Sequence, residues 1–425
     1  MNSLKAILSN EVFLEYVIRP LPWILVLLFV VLTAVAYLVY AERKISAFIQ
    51  VRLGPMRVGP YGLLQPLADL VKLLTKEDVI PARVDQGVFK IAPIISVVAA
   101  LIVIVVLPFG PGGATITDIN IGVLFILAVS SVGVLGIILG GWASNSKYPL
   151  LGAMRSSAQL VSYEVAQGLA LVGPLMFAKS LSMSGIVQAQ AADRVWYIFY
   201  QPLAFIIFFA GALAETNRAP FDLPEAESEI VAGFHTEYSG FRWSLYFLAE
   251  YTAIMVTAGL TTTLFLGGWY LPFLGRLEAT HPLLYVLLCS GVFAAKMLVI
   301  IYLFMWIRWT FPRYRYDQLM DLGWKWLIPA ALVNIILTGV IIVLGQQWDL
   351  IRTARSNFGE SLVTSWPASI TGKLYTIGAA FFVIVPITWI LLAVINRNSY
   401  DFNLRVQRQL PAVKSQESDE VFTEV

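Results

Sequence analysis

Nine stretches of the chain, near residues 21–40, 91–109, 120–142, 159–178, 195–214, 244–270, 283–307, 326–345 and 374–395, stay apolar over a length close to the about 20 residues needed to cross bilayer hydrocarbon. Polar residues collect between them, so the pattern predicts an all-α, polytopic bundle of about nine transmembrane helices. The first stretch lacks an A-x-A-like cleavage site and follows Glu11 and Glu15 instead of a basic region, which makes it a retained span and not a signal peptide. A shorter helical pattern follows it. Leu63, Leu64, Leu67, Leu70, Val71 and Leu74 recur at helical spacing, with Gln65, Asp69, Lys72 and Lys76 on the other face. This predicts an amphipathic helix, and periodicity weighs equally an interfacial position and a site on the protein's own surface.

Composition sharpens the class. Of 425 residues 58% are hydrophobic and 13% charged, where about 25% charged is usual in soluble proteins; mean hydropathy is +0.75. That excludes a string of soluble domains. The net charge of +2 leaves no basic field for nucleic acid. One cysteine, Cys289, permits no internal disulfide, CxxC pair or four-thiolate iron–sulfur cluster, and two histidines, His235 and His281, are too few for a pair of bis-histidine haems. No P-loop, dinucleotide fingerprint or Ser-His-Asp set is present. Any electrons must come from a partner.

Lysine and arginine are partitioned unevenly. Twenty lie in the loops after spans one, three, five and seven and in the tail, eight lie on the other side, and Lys296 falls within span seven. By the positive-inside rule the N-terminus faces outward and the C-terminus the cytoplasm. On this topology His235 and His281 occupy opposite faces, form no common metal site, and read as surface or hydrogen-bonding histidines. The expected organisation is a domain over 1–345 with eight spans and cytoplasmic loops 41–90 and 215–243, then an outer loop and ninth span over 346–395, and a polar tail over 396–425.

Those two loops are charged like soluble protein, with 13 charged residues in 41–90 and eight in 215–243. In the first, Arg43, Lys44, Arg52 and Arg57 are consistent with nothing more than membrane anchoring. In the second, Asp222, Pro224 and Glu225 fit a helix start, which leaves Glu215, Glu227, Glu229 and Glu237 unexplained. Asp222, Glu225 and Glu229 would share one helical face, where like charges repel. Closely spaced carboxylates raise one another's pKa, so such a set suits proton transfer. Three further charges lie within spans: Glu164, Glu250 and Lys296. Each costs at least about 2.5–3.5 kcal/mol at a helix centre and marks a candidate ion or proton path. Glu164 and Glu250 lie near span ends, where an interfacial or snorkelling position competes with that reading. Lys296 lies mid-span and requires a carboxylate, carbonyl or water partner.

The residues then resemble a family. Glu42-Arg43-Lys44, Arg52 to Pro60, Gln65 to Lys72 and Lys76-Glu77-Asp78 closely resemble the first cytoplasmic loop of the H subunits of proton-pumping NADH–quinone oxidoreductase, respiratory complex I. Similar matches run through Gly141 to Tyr148, Arg155 to Glu164, Ala214 to Glu227, Glu237 to Gly240, and Trp306 to Gln318. The resemblance spans about 20 to 345. It departs at Ala219 and Trp309, read as tolerated variation, and offers nothing to transfer to 346–425.

The resemblance implies a subunit of an enzyme complex, without a complete active site of its own, that helps form a quinone cavity and couples quinone reduction to proton translocation. Span one and the interfacial helix would frame the cavity's mouth. Asp69, Glu164, Glu215, Asp222, Glu225, Glu227, Glu229, Glu237 and Glu250 would lead protons into the membrane, joined by Lys296 from the sequence pattern. Arg52, Arg57, Arg218 and Phe221 would sit at the cavity or a subunit contact. No cofactor or metal is expected on this chain: quinone is the substrate, and FMN and iron–sulfur clusters belong to partner subunits. The expected partners are peripheral quinone-site and iron–sulfur subunits, neighbouring membrane-arm subunits and lipid, in the bacterial inner membrane. Two rivals stand beside this: the related subunit of energy-converting hydrogenases or deazaflavin-linked dehydrogenases, and a free-standing cation/proton antiporter.

Overall fold

The computed structural model describes residues 21–112, 116–223, 230–271, 281–347 and 370–394, and every regular element among them is helical. In chain order these are α1 (Leu21–Ile49), α2 (Gln65–Thr75), α3 (Gln86–Ile104), α4 (Gly122–Ala143), α5 (Lys147–Ala178), α6 (Met183–Asp193), α7 (Tyr197–Tyr200) and α8 (Pro202–Glu215). They continue as α9 (Gly240–Phe265), α10 (Pro282–Thr310), α11 (Tyr316–Asp321), α12 (Ile328–Gln347) and α13 (Ile370–Ala379). A π-helical turn at Leu322–Leu327 joins α11 to α12, and another at Ala380–Ile384 carries α13 onward to a helix end at Val394. Residues 348–369 of the outer loop expected over 346–373, and the tail over 396–425, lie outside the described residues.

Seven helices among the described residues are long and apolar enough to cross a membrane, against about nine expected. The two others exist but differ from a simple span. Over 195–214 the chain makes the single turn α7, breaks at Gln201 before Pro202, and resumes as the 14-residue α8. At about 1.5 Å per residue α8 rises roughly 21 Å, short of the roughly 30 Å hydrocarbon core. Helix α9 has length enough at 26 residues, yet carries Arg242, Glu250 and a run of threonines. It is the buried centre of the bundle. Thr252, Thr257, Thr261, Thr262 and Thr263 are at most 1% exposed, and each hydroxyl donates to the carbonyl four residues back. That back-bond satisfies a polar group without an interhelical partner.

Small residues set how closely helices approach. Where α3 crosses α4, a Cβ at Gly136 would lie 2.1 Å from Ser96 Oγ and 2.8 Å from the Ala92 carbonyl oxygen. Ser96 Oγ in turn donates to the Gly133 carbonyl at 3.2 Å. Such contacts hold helices together where lipid removes any hydrophobic drive between them.

The loops that the topology puts on one side interlock at one end of the bundle. Asn145 donates to the Arg83 carbonyl (2.8 Å), the Val79 amide to Ser239 Oγ (2.9 Å), and Arg242 pairs with Asp78 (2.9 Å). The Tyr314 amide donates to the Pro220 carbonyl at 3.2 Å. Helix α2 matches the predicted amphipathic segment, and none of its residues is buried. Leu67, Leu70, Val71 and Leu74 remain more than half exposed, so its apolar face does not seal against the chain's own surface.

Candidate functional site

Four charged side chains from three helices and a loop meet beneath that loop-rich end. Glu42, near the end of α1, is 7% exposed, and Arg218, in the loop after α8, is 6% exposed. Arg218 Nη1 lies 3.4 Å from Glu42 Oε1, and its Nε lies 2.5 Å from Glu250 Oε1 of α9. Arg308 of α10 is also ion-paired with Glu42 Oε1. The Tyr251 hydroxyl donates to Glu42 Oε2 at 2.6 Å, and the Arg218 guanidinium sits 4.4 Å from the centre of the Tyr251 ring. Two carboxylates and two guanidiniums thus neutralise one another in a region of low dielectric, the condition under which a buried ion set is tolerated.

A cavity of about 260 Å³ opens beside this set. Glu164 from α5, Glu215 from α8 and Glu250 from α9 line it, with Arg218, Arg308, Asn217 and His235, and the apolar lining comes from α3, α4, α5, α9 and Phe234 of the loop before α9. Neutral donors hold two of the carboxylates in place: Ser131 Oγ donates to Glu164 Oε2 at 3.1 Å, and Gln167 Nε2 to Glu215 Oε2 at 3.1 Å. These bonds orient the oxygens while adding no charge, so each group can change protonation with little rearrangement. A second glutamine, Gln159, fixes the wall. Its amide donates to the Ala214 carbonyl (3.0 Å) and the Phe221 carbonyl (2.8 Å), tying the loop after α8 to α5.

The structure brings some of the sequence candidates to this place and leaves others apart. Glu164, Glu215, Glu250 and Arg218 lie on the cavity. Phe221 is not among its lining residues and is buried edge-on to Tyr163 at 5.3 Å between centroids. Asp222 pairs with Arg313 at 2.6 Å; burial nonetheless holds its carboxyl above the usual value, with Arg313 and Arg308 pulling the other way. Asp69 is bound to Arg43 (2.6 Å) and Gln65 (3.0 Å) on the polar face of α2. Arg52 contacts Gln50 at 2.6 Å and, like Arg57, is exposed. Glu237 is half-buried in the loop before α9. Glu225, Glu227 and Glu229 lie outside the described residues.

Lys296 is not among the cavity's lining residues. Its ammonium donates to the carbonyls of Leu266 (2.7 Å), Gly268 (2.9 Å) and Tyr270 (2.9 Å), and lies 4.8 Å from the centre of the Trp196 ring. The carbonyl partner expected for it is present, at the C-terminal end of α9, where the helix dipole favours a cation. Glu42, Arg308, Tyr251, Gln159, Gln167 and His235 complete the site, and the sequence reading gave none of them a role. Glu42 and Arg308 end apolar helices and read there as ordinary boundary charges. His235, read from the sequence as a surface or hydrogen-bonding histidine, is half-buried and lines the cavity, and burial pushes its imidazole down to about 4.

A sequence profile of the NADH dehydrogenase family matches residues 23–339. The chain is 54% identical over 329 residues to an H subunit of NADH-quinone oxidoreductase from Geobacter metallireducens, covering 76% of this chain and 95% of that protein. It is 49% identical over 337 residues to NADH-quinone oxidoreductase subunit 8 of Rhodothermus marinus, covering 76% of this chain and 98% of that one. Against the NADH-quinone oxidoreductase H subunit of a Geobacillus species the identity is 49% over 320 residues, covering 75% and 92%.

Proposed function

The chain belongs to the NADH dehydrogenase family, and from that premise we propose that it is the membrane subunit of a proton-translocating NADH–quinone oxidoreductase that couples quinone reduction to proton movement. The observation that carries this reading is the cavity shared by Glu164, Glu215 and Glu250, three carboxylates on different helices with an ion-paired set at its edge. Buried carboxylates are costly inside a membrane protein, and a fold that keeps three around one cavity uses them for ions or protons.

Reducing a quinone to a quinol consumes two electrons and two protons. The electrons come from partner subunits carrying FMN and iron–sulfur clusters; this chain's part is to supply and sense protons. Apolar residues left exposed on α1 and α2 offer a lateral approach for an isoprenoid tail, with Arg52, Arg57, Arg218 and Phe221 near the headgroup's route or a subunit contact. Demand for protons at the mouth draws on Asp69, Asp222 and Glu237, and on Glu225, Glu227 and Glu229 of the same loop. If Glu250 takes up a proton, Arg218 loses one of its two anionic partners and shifts weight to Glu42. The field at Glu215 and Glu164 changes with it, at a distance where low dielectric leaves charges poorly screened. That is how a reaction at the mouth alters protonation deeper in the membrane. Lys296, although a sequence candidate for this path, serves instead as the pin that closes α9 against α10.

Twenty of the chain's 29 Lys and Arg residues lie on the side of loops 41–90 and 215–243, which supports a cytoplasmic C-terminus and an outward N-terminus in a bacterial inner membrane. The names of the relatives weigh against the hydrogenase reading. The test is to tag the chain in its host and isolate it in mild detergent. Co-purification of flavin and iron–sulfur absorbance with NADH:quinone activity supports the proposal, whereas an active single polypeptide without them overturns it.

A further inference from the structure

Resting on that reading, the site raises a question it does not answer: which group passes protons between the aqueous loops and the buried carboxylates. Helices α5, α8 and α9 supply Glu164, Glu215 and Glu250, whereas Arg218 and His235 are the charged or titratable lining groups from non-membrane segments. Arg218 is engaged with Glu42 and Glu250, and a guanidinium does not give up its proton in a protein. His235 differs in that last respect: a neutral imidazole can give up one ring proton while accepting another. It stands in a loop whose next acidic residue, Glu237, is half-buried, and its ring is held between Phe234 (5.0 Å, edge-on) and Trp243 (6.3 Å) on the cavity wall.

We propose that His235 is the proton relay between the aqueous side of the 230–239 loop and the cavity carboxylates Glu215 and Glu164. A proton arrives at one ring nitrogen as another leaves the opposite nitrogen toward a carboxylate, directly or through cavity water. The ring then returns to its starting orientation and tautomer by turning over. One proton enters and one leaves, no electrons move, and no co-reactant is needed. Neutrality is what permits this: a neutral imidazole offers a donor and a lone pair together, while a doubly protonated one has no lone pair to accept with. Burial keeps the ring in that neutral state. The charged and titratable groups that line the cavity with it are Glu164 on α5, Glu215 on α8, Tyr246 and Glu250 on α9, Arg218 and Arg308, and Glu237 follows it by two residues on its own loop. The aromatic edges of Phe234 and Trp243 orient the ring.

The experiment uses the assembled complex in inverted membrane vesicles, comparing wild type, His235→Gln, His235→Ala and Glu215→Gln. NADH oxidation by an artificial acceptor, which bypasses quinone, verifies assembly. His235→Gln is expected to lower quinone-linked proton translocation by roughly tenfold or more, with the deficit widening as pH rises and protons become scarce. Added imidazole should restore a substantial part of the loss in His235→Ala and none in Glu215→Gln. Wild-type translocation and pH profile in both His235 variants overturn the relay while Glu215→Gln remains impaired. A loss in His235→Ala that imidazole does not restore, with acceptor activity intact, also overturns it in favour of a structural role. If Glu215→Gln is itself unimpaired, the broader proton-coupling reading fails instead.

Discussion

Arg308 and Glu42, 266 positions apart in the sequence, are joined in a direct ion pair that ties the end of α10 to the end of α1. Arg218 shares the same glutamate oxygen and reaches on to Glu250. A continuous charge connection therefore runs from the α1 edge of the bundle to the buried central helix α9, which is the connection a proton-coupled signal needs.

Because Arg218 neutralises two carboxylates at once, Arg218→Met leaves Glu42 with Arg308 alone and Glu250 without its cation. Removing one member of a buried ion set costs about 3–5 kcal/mol, so thermal unfolding of the purified complex should begin well below wild type. Adding Glu250→Gln to the same variant should recover part of the loss, since the bare charge is gone. Equal melting of the two variants would contradict the pairing.

Gln159 holds the loop after α8 through two backbone carbonyls. Gln159→Leu leaves both acceptors buried without that donor, at about 1–3 kcal/mol for each. Hydrogen exchange at the amides of 216–223 should speed up while that of α9 stays unchanged. Unaltered exchange over 216–223 would show that the loop is held by other contacts.

The pH dependence of the 230–239 loop follows from His235. Its folded value of about 4 lies below the ordinary 6.5, so below pH 6.5 the unfolded loop binds a proton that the folded loop does not. The stability contribution is complete above the ordinary value and declines as pH falls from 6.5 toward 4. Exchange protection of these amides, corrected for the intrinsic rate, should fall across that window in wild type and much less in His235→Gln. A flat wild-type profile would contradict the burial of the imidazole.

Helix α13 and its continuation lie beyond the family-matched residues 23–339, yet Ala380, Ile384 and Leu392 are buried on the bundle and Lys373 donates to the Asp193 carbonyl. Ending the chain after residue 347 should lower the melting temperature while leaving quinone reduction per assembled complex near wild type. Lost turnover in an otherwise assembled complex would assign the segment a direct role.

Much of this architecture was legible in the sequence. Helix α2 occupies 65–75 where the periodicity placed a helix over 63–76, and seven apolar runs became full-length helices. The exceptions have local causes: an apolar run around 195–214, interrupted only by Gln201-Pro202, hides the break made there, and the threonines of α9 lower its hydropathy while their back-bonds make burial tolerable. At the site, Glu164, Glu215 and Glu250 stood out as carboxylates in or beside apolar runs. Glu42 and Arg308 did not, since a charge at a helix end has an ordinary reading as an anchor and only the tertiary fold brings these two together. Gln159 and Gln167 carry no charge to draw notice, and it is the fold of the loop before α9, with Phe234 and Trp243 set about the ring, that brings His235 to the cavity.

The central claim is that the cavity carboxylates join quinone reduction to proton movement. It is tested most directly by the ratio of protons translocated to NADH oxidised in vesicles carrying Glu164→Gln with Glu215→Gln. Gln167 and Ser131 can still hydrogen-bond the amides, so the fold and the artificial-acceptor activity should persist while the ratio, the quinone-linked rate or both fall sharply. A wild-type ratio at a wild-type quinone-linked rate would show that protons take another route, and would contradict the account.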